Sequence, residues 1–462
     1  MYKTIAAIST PPGKGGVAII RMSGEDSLAI LGRVFEARSG KSVSEFPART
    51  QVYGYILYKE EQIDDGLVTV FPAPHSYTGE TVVEISCHGG VLLTARVLEA
   101  LYLAGATPAE SGEFTRRAFI NGRLTLTDAE AIGNLIDARS DEQIRLSAAP
   151  ARDRLRAKIE QIRRRITALL GSIWARIDYP EEDLGELSER EITDTLREIR
   201  NELDRLIATY RTGRAINEGI RAVICGKPNV GKSTLYNLLV GEDAAIVTDI
   251  PGTTRDLLER SVPLGRVMLH LTDTAGIRHG DATDRVECIG IERSVSKIAT
   301  ADLIIAMFDL SRPFDTEDED ALAAVVNAPG AKICILNKAD LACEGFDRGL
   351  VDGIFDEYIV CSADKKEAEC LLMLKDAVNR LFTDEKISVS TDAVVASVRQ
   401  HSALVSARSL IDAALTAFEL GMPVDAASSD VELALGVIGE LDGRSVSESV
   451  VGDIFSRFCV GK

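Results

Sequence analysis

The sequence predicts a multidomain chain of α/β and α+β character, and three observations carry that expectation. A glycine-rich loop framed by a strand and a helix stands near the middle of the 462 residues, at Gly226 to Thr234. Short β-rich runs separated by Pro and Gly fill the first 118 residues, and amphipathic helical patterns lie on both sides of the centre. A chain of this length holds about three domains, and its 45% hydrophobic content is ample for packed cores. The expected division is an α+β domain over 1–118, a discontinuous helical domain over 119–216 and 384–462, and an inserted α/β domain over 217–383.

Within the first domain, Val17 to Ile20, Val52 to Tyr58, Leu67 to Phe71 and Thr81 to Ser86 read as strands. From Thr127 the pattern turns helical, opening on Thr127-Asp128-Ala129-Glu130 as a capping box. Ile159, Ile162, Ile166, Leu169, Leu170 and Ile173 recur at helical spacing, and Leu196, Ile199, Leu203, Leu206, Ile207 and Tyr210 repeat it, with Gly213 ending that helix. After the central domain, Leu404, Ile411, Leu415 and Phe418 form one apolar stripe, and Val451, Ile454, Phe455 and Phe458 another. Two such tail helices bury too little area alone. They are expected to pack back on the helices before the central domain, which makes that domain an insertion.

The central loop is Gly226-Lys227-Pro228-Asn229-Val230-Gly231-Lys232-Ser233-Thr234. It joins the β-branched run Ile220 to Ile224, a buried strand, to a helix opening at Thr234. Its glycines let backbone N–H groups turn around a phosphate, and the helix N-terminus adds its positive end. Lys232 is placed to reach the β- and γ-phosphates and the Ser233 hydroxyl to ligate Mg²⁺.

Four further segments follow in the order of a Ras-like GTPase. Thr248-Asp249-Ile250-Pro251-Gly252-Thr253-Thr254-Arg255-Asp256 suits a switch loop, with Thr254 as its Mg²⁺ ligand. Asp273-Thr274-Ala275-Gly276 follows the strand Val267 to Leu271, its Asp holding the Mg²⁺ shell and its Gly N–H sensing the γ-phosphate. Asn337-Lys338-Ala339-Asp340 follows the strand Ile333 to Leu336, and the Asp340 carboxylate can accept two N–H bonds that guanine has and adenine lacks. Cys361-Ser362-Ala363 closes the base pocket. The expected nucleotide is GTP. Ile277 stands where Ras-like proteins carry the Gln that orients the attacking water, so another group must do that work. Glu287, in Asp284 to Glu292, is one candidate; a solvated helix face is the other reading of that segment.

Charge and cysteine content bound the remainder. Basic residues number 52 against 71 acidic, a net charge of −19, which argues against bulk nucleic-acid binding. Arg152, Arg154, Arg156, Lys158, Arg163, Arg164 and Arg165 nevertheless crowd one helix, either as a solvated face or as a phosphate-contacting patch. The acidic run Asp315 to Asp320 reads as a solvated loop. Eight cysteines lack Cys-x-x-Cys spacing and there are only five His, so no zinc constellation is expected: the nearest candidate, Cys87-His88, is adjacent and lacks partners. Neither a signal peptide nor a membrane span is expected, and a reduced cytoplasm fits.

Outside the centre stand Thr10-Pro11-Pro12-Gly13-Lys14-Gly15-Gly16-Val17, Pro74-His75-Ser76-Tyr77-Thr78-Gly79-Glu80, His88-Gly89-Gly90, Gly112-Glu113-Phe114-Thr115-Arg116-Arg117-Ala118-Phe119 and the terminal Phe458-Cys459-Val460-Gly461-Lys462. Together with the central GTPase, these motifs resemble the family of tRNA-modifying GTPases known as MnmE or TrmE, over nearly the whole chain. The resemblance implies a homodimer that joins an MnmG-like FAD protein in a heterotetramer. That pair adds an aminomethyl-type group to carbon 5 of tRNA wobble uridine, using a one-carbon unit from 5-formyl- or methylene-tetrahydrofolate.

The resemblance also implies K⁺-stimulated GTP hydrolysis, with Asn229, Thr248, Ile250 and Thr253 matching the K⁺ ligands and Glu287 the water-orienting glutamate. Arg255 and Arg278 are possible helpers or structural ion pairs. Glu84 and Arg21 match folate-binding residues, as does the terminal Lys462, and the family's lone cysteine near the terminus falls on Cys459. Arg123 stands where relatives carry Lys, and Ala434 where they tend to carry Arg, which puts both contacts in question. Two other readings remain open: a regulatory or ribosome-assembly GTPase without folate chemistry, and a folate-dependent transferase for which GTP is only allosteric.

Overall fold

The computed structural model describes residues 3–178, 189–241, 259–272, 297–343, 345–441, 443, 448–456 and 458–461. The chain divides into two compact units, 1–136 with 436–462, and 137–435. The sequence-based boundaries at 118, 216 and 383 fall inside these units.

In the first unit, alternating apolar residues build one sheet. Its strands are β1 (Ile5–Ile8), β2 (Gly15–Ser23), β3 (Phe35–Ala37), β4 (Gln51–Tyr58), β5 (Glu61–Phe71), β6 (Val82–Gly89) and β7 (Thr107–Pro108), in the order β3-β4-β5-β6-β2-β1-β7. Helices α1 (Ser27–Val34) and α2 (Val91–Leu103) pack on it over a core that includes Ile20, Leu31, Ile56, Val68, Ile85 and Leu101. Strand β5 is longer than its apolar run because polar residues from Glu61 onward also pair with β4. The register slips there, with Ile56 opposite Asp64 but Leu57 opposite Gln62, so Ile63 is an extra residue in a β-bulge.

Two helices follow, α3 (Glu113–Ile120) and α4 (Leu126–Asp137). The capping box of α4 lies two residues earlier than expected. Thr125 N–H donates to Asp128 Oδ2 at 2.9 Å, and Asp128 N–H donates to Thr125 Oγ1 at 3.1 Å. Both frames offer Thr followed three residues on by an acid; full burial of Leu126 selects the earlier one. Thr127 is itself buried and donates its hydroxyl to the Leu441 carbonyl at 2.7 Å.

The second unit begins with α5 (Asp141–Ser147), α6 (Ala149–Asp178), α7 (Glu189–Ala208) and α8 (Tyr210–Glu218). The apolar stripe from Ile159 to Ile173 is buried, as are Leu196, Ile199, Leu203 and Leu206. Gly213 does not end a helix. It lies within α8, where a Cβ would sit 2.1 Å from the Val395 carbonyl oxygen, so its role is close approach of backbone. Gly213→Ala is expected to cost about 1–3 kcal/mol of stability through overpacking, read as a lowered denaturant midpoint.

A second sheet follows, whose central strands are continuous apolar runs buried on both faces while its edge strands alternate. Its strands β8 (Ile220–Cys225), β9 (Glu259–Leu264), β10 (Val267–Thr272), β11 (Leu303–Asp309), β12 (Ala331–Asn337) and β13 (Glu357–Val360) run in the order β13-β12-β11-β8-β10-β9. All pair in parallel except β9 with β10. Helices α9 (Lys232–Gly241), α10 (Thr316–Val326) and α11 (Glu367–Phe382) accompany this sheet. Next come α12 (Val398–Glu419), whose stripe Leu404, Ile411, Leu415 and Phe418 is buried, and α13 (Val424–Leu441).

The last helix, α14 (Glu448–Ser456), belongs to the first unit. Phe455 and Phe458 pack there with Leu126 and Ala129, beside Phe119 and Ile132. Among the described residues, no helix is long and apolar enough to cross a membrane.

Candidate functional site

The chain leaves β8 for β10 on one side and returns to β11 on the other, so the C-terminal end of β8 is a topological switch point, where open α/β sheets bind ligands. The glycine-rich loop occupies that point. Lys232 folds back over it, its ammonium donating to the carbonyls of Gly226 and Lys227, both at 2.7 Å. Burial pushes the Lys232 pKa down, which marks an ammonium short of solvent and able to gain from an anionic partner. Asn229 holds a left-handed conformation with φ 64° and an exposed side chain, and Ser233 is exposed in the first turn of α9.

Two braces that sequence reading missed hold the loop. Lys227, buried, forms ion pairs with Asp315 and, at 2.9 Å, with Asp318. Asp315 is the capping residue of α10, accepting from the N–H groups of Glu317 and Asp318, so the acidic run expected as a solvated loop is a helix start that anchors the phosphate loop. The second brace is Asn337. Its Nδ2 donates to the Val230 carbonyl at 2.8 Å, and its Oδ1 accepts from Ala363 N–H at 2.9 Å. Gly231 is required beside it: with φ 109°, a Cβ there would lie 2.2 Å from Asn337 Nδ2.

Around Asp340, Ser362 Oγ donates to its Oδ1 at 2.8 Å, and Lys365 Nζ pairs with its Oδ2 at 2.5 Å. The Lys365 ammonium, followed by the Ser362 hydroxyl, holds the exposed Asp340 carboxyl below its ordinary pKa. Ala339 N–H donates to the Cys361 carbonyl at 3.1 Å, joining the two loops. Lys338 takes φ 59° and pairs with the buried Asp309 at 2.7 Å. Burial pushes the Asp309 carboxyl up, but Lys338 and the Ser311 donors outweigh it and leave the pKa lowered.

The first unit gathers a second group of sequence-selected residues. Arg21 and Glu84 are directly paired across β2 and β6. Arg21 Nε and Nη2 both donate to Glu84 Oε1, at 3.0 and 2.8 Å, and Glu84 Oε2 has no partner among the described residues. The Arg21 guanidinium carbon lies 5.4 Å from the Tyr77 ring centre and 5.8 Å from that of Phe114. Two residues before Phe114, Gly112 N–H meets the Cys459 carbonyl at 3.5 Å. Val460 bridges Ser111, and Ser9 Oγ donates to the Gly461 carbonyl at 3.1 Å, so the C-terminal tail docks beside the start of α3. Buried Arg117 grips Glu80 at 3.0 Å and Glu113 at 2.7 Å, fixing the Pro74 to Glu80 loop to α3. Arg123 is exposed, with its stem near Gly79.

Other sequence-selected residues fall elsewhere. Ala434 is fully buried and offers no surface to a ligand, and Cys87 is a buried core thiol whose pKa burial raises to about 11. On the basic helix, Arg163 and Arg164 share Glu160, holding its carboxyl down at about 2, while Arg165 pairs with Glu198 and Glu202 and Arg154 donates to the Val389 and Asp392 carbonyls. Such pairing favours the helix-face reading over a phosphate patch. Thr248, Asp249, Ile250, Pro251, Gly252, Thr253, Thr254, Arg255, Asp273, Thr274, Ala275, Gly276, Ile277, Arg278, Glu287 and Lys462 lie outside the described residues.

A parallel sheet with one antiparallel edge, a phosphate loop at its switch point and an Asn-Lys-Ala-Asp segment at the next strand end define a Ras-like P-loop GTPase domain within a larger chain. The flanks give the family. A model described as the MnmE helical domain matches residues 126–459, and one described as the GTP-binding protein TrmE N-terminus matches residues 4–123. The chain belongs to the MnmE (TrmE) family. It is 39% identical to the tRNA modification GTPase MnmE of Lacticaseibacillus paracasei, over 100% of this chain and 98% of that protein. The protein of the same name from Thermoanaerobacter sp. is 39% identical over 100% of both chains, and that of Clostridioides difficile is 38% identical over 99% of both.

Proposed function

We propose that the chain hydrolyses GTP in the service of tRNA modification. The observation that carries the GTPase reading is the Asn337 brace, which locks the phosphate loop to the loop that positions Ser362 beside Asp340. Within this reading, Lys232 exchanges its two carbonyl partners for the β- and γ-phosphates, and Asp340 accepts the two guanine N–H donors. Val230, Gly231 and Thr234 line the phosphate loop, and Lys338, Ala339 and Ala363 frame the base.

Mg²⁺ bound at Ser233 and Thr254, with Asp273 in its outer shell, would neutralise charge developing on the phosphates. The exposed Ser233 hydroxyl at the helix start fits that task. K⁺ at Asn229, Thr248, Ile250 and Thr253 would supply the positive charge that other GTPases take from an arginine finger. The exposed, left-handed Asn229 fits a ligand role. Glu287 orients the attacking water in place of the side chain missing at Ile277. Glu287→Ala is expected to lower turnover by about 10²–10³ while leaving GTP affinity nearly unchanged. Single-turnover hydrolysis with parallel nucleotide titration checks both, and K⁺ replaced by Na⁺ should slow the wild type.

The first unit is proposed to hold a tetrahydrofolate. Support comes from Glu84, whose Oε1 is occupied by Arg21 while Oε2 remains open to a pterin N–H, with Tyr77 and Phe114 alongside. Arg123, Cys459 and Lys462 complete the proposed neighbourhood. Glu84→Gln keeps the shape and removes the charge, and is expected to weaken 5-formyl-tetrahydrofolate about tenfold or more by calorimetry. The bound folate would supply a one-carbon unit, used by a homodimer working with an FAD protein on the wobble uridine. Mass spectrometry of tRNA from cells lacking this chain tests the whole reading: wobble modification should disappear, and unchanged modification would leave the regulatory GTPase alternative.

A further inference from the structure

We propose that Asp64, Asp65 and His88 form a binding site for a first-row divalent metal ion of the Mn²⁺, Co²⁺ and Zn²⁺ type, separate from the nucleotide's Mg²⁺. The Cys87-His88 pair lacks metal partners in sequence, but the fold brings two carboxylates to the imidazole from the neighbouring strand. One ligand atom from each of the three side chains lies within 4.8 Å of the others.

The His88–Asp64 pair already has the spacing of two ligands on one ion, and Asp65 lies within reach of a small side-chain shift. His88 Nδ1 and Asp64 Oδ1 are 2.8 Å apart. Adjacent ligands held at metal distances of about 2.1 Å and right angles are separated by roughly 3 Å, so an ion can replace the proton these atoms share without moving them far. Asp64 follows the β-bulge at Ile63 directly, and Asp65 is the next residue of β5, opposite Tyr55. His88 lies within β6, two residues past its last pair with β5, where the register continued from Leu67 opposite Ser86 sets it opposite Asp65.

Both carboxylates are already oriented by groups that a metal site needs around it. Asp64 Oδ2 accepts from His88 N–H at 2.9 Å, and Asp65 Oδ2 accepts from the Tyr53 hydroxyl at 2.9 Å. The Asp64 side chain is only 8% exposed, whereas that of His88 is 66% exposed, which leaves the ion a route in and room for water ligands. Two neighbouring carboxylates carry two negative charges against at most one on the imidazole, an imbalance that a divalent cation corrects. One imidazole with carboxylates and water suits borderline and hard first-row ions.

Titration of the full-length, nucleotide-free protein with Co²⁺, followed by proton NMR, tests the site. The expected result is a saturable set of hyperfine-shifted imidazole resonances that vanishes in His88→Ala. Asp65→Asn keeps the size and an acceptor for Tyr53, and should weaken Co²⁺ about tenfold or more. Survival of the imidazole signals in His88→Ala, or no saturation by millimolar Co²⁺, overturns the proposal. Should His88→Ala fail to fold, Asp65→Asn decides: an affinity equal to wild type overturns it.

Discussion

Asp340→Asn should raise the Kd for GTP by roughly 10²–10⁴, because two hydrogen bonds to a charged acceptor contribute about 3–6 kcal/mol together. The same change should improve binding of xanthosine triphosphate, whose base carries a carbonyl where guanine carries an amino group, so that the new amide donates where the carboxylate accepted. Competition between the two nucleotides on wild type and variant measures the exchange. The structure adds a condition: Asp340 is held by Ser362 and Lys365, so guanine must share the carboxylate with these donors or displace one. Loss of GTP affinity without a gain for xanthosine would mean that the exchange of donor and acceptor is not what sets base choice.

Asn337→Ala is expected to damage both halves of the nucleotide site at once. It strips the partner from the Val230 carbonyl and from Ala363 N–H, and both residues are almost wholly buried. Leaving two buried backbone groups unsatisfied costs about 2–6 kcal/mol. Denaturant unfolding should therefore show a less stable GTPase domain, and GTP affinity should fall at least about tenfold as the phosphate loop loses its brace. Asn337→Asp distinguishes the two ends of the bridge: its carboxylate still accepts from Ala363 but cannot donate to Val230. It should retain the base-side loop and loosen the phosphate-side one, visible as amide exchange rising across the phosphate loop while Ala363 N–H stays protected.

What could be read from sequence was whatever is written contiguously. The phosphate loop, Asn337 to Asp340 and Ser362 with Ala363 announce themselves because short segments carry their residue types in fixed order. Apolar stripes such as Ile159 to Ile173 were legible because burial imposes a period. Pairings across distance were not. Lys227 finds Asp315 and Asp318 some ninety positions away, and nothing local distinguishes that acidic run from a solvated one. Gly213 looked like a helix end because glycine commonly is one, whereas its reason is the Val395 backbone from another part of the chain. Thr125 and Thr127 offered equivalent caps, and only the burial of Leu126 chose between them. Asp64 and Asp65 likewise meet His88 only once β5 and β6 are in register.

The docking of the C-terminal tail beside Ile8, Ser9 and Ser111 bears on how the protein is born. The first unit needs residues 436–462 to finish its packing, whereas 137–435 is continuous. A nascent chain emerges N-terminus first and folds as its units become complete. All of the second unit is therefore synthesised while the first still lacks α14 and the Val460 bridge. Phe455 and Phe458 meet Leu126 and Ala129, and Val460 meets Ser111, only after the whole of 137–435 has been made, so a chain cut short before α14 leaves the amino-terminal unit open.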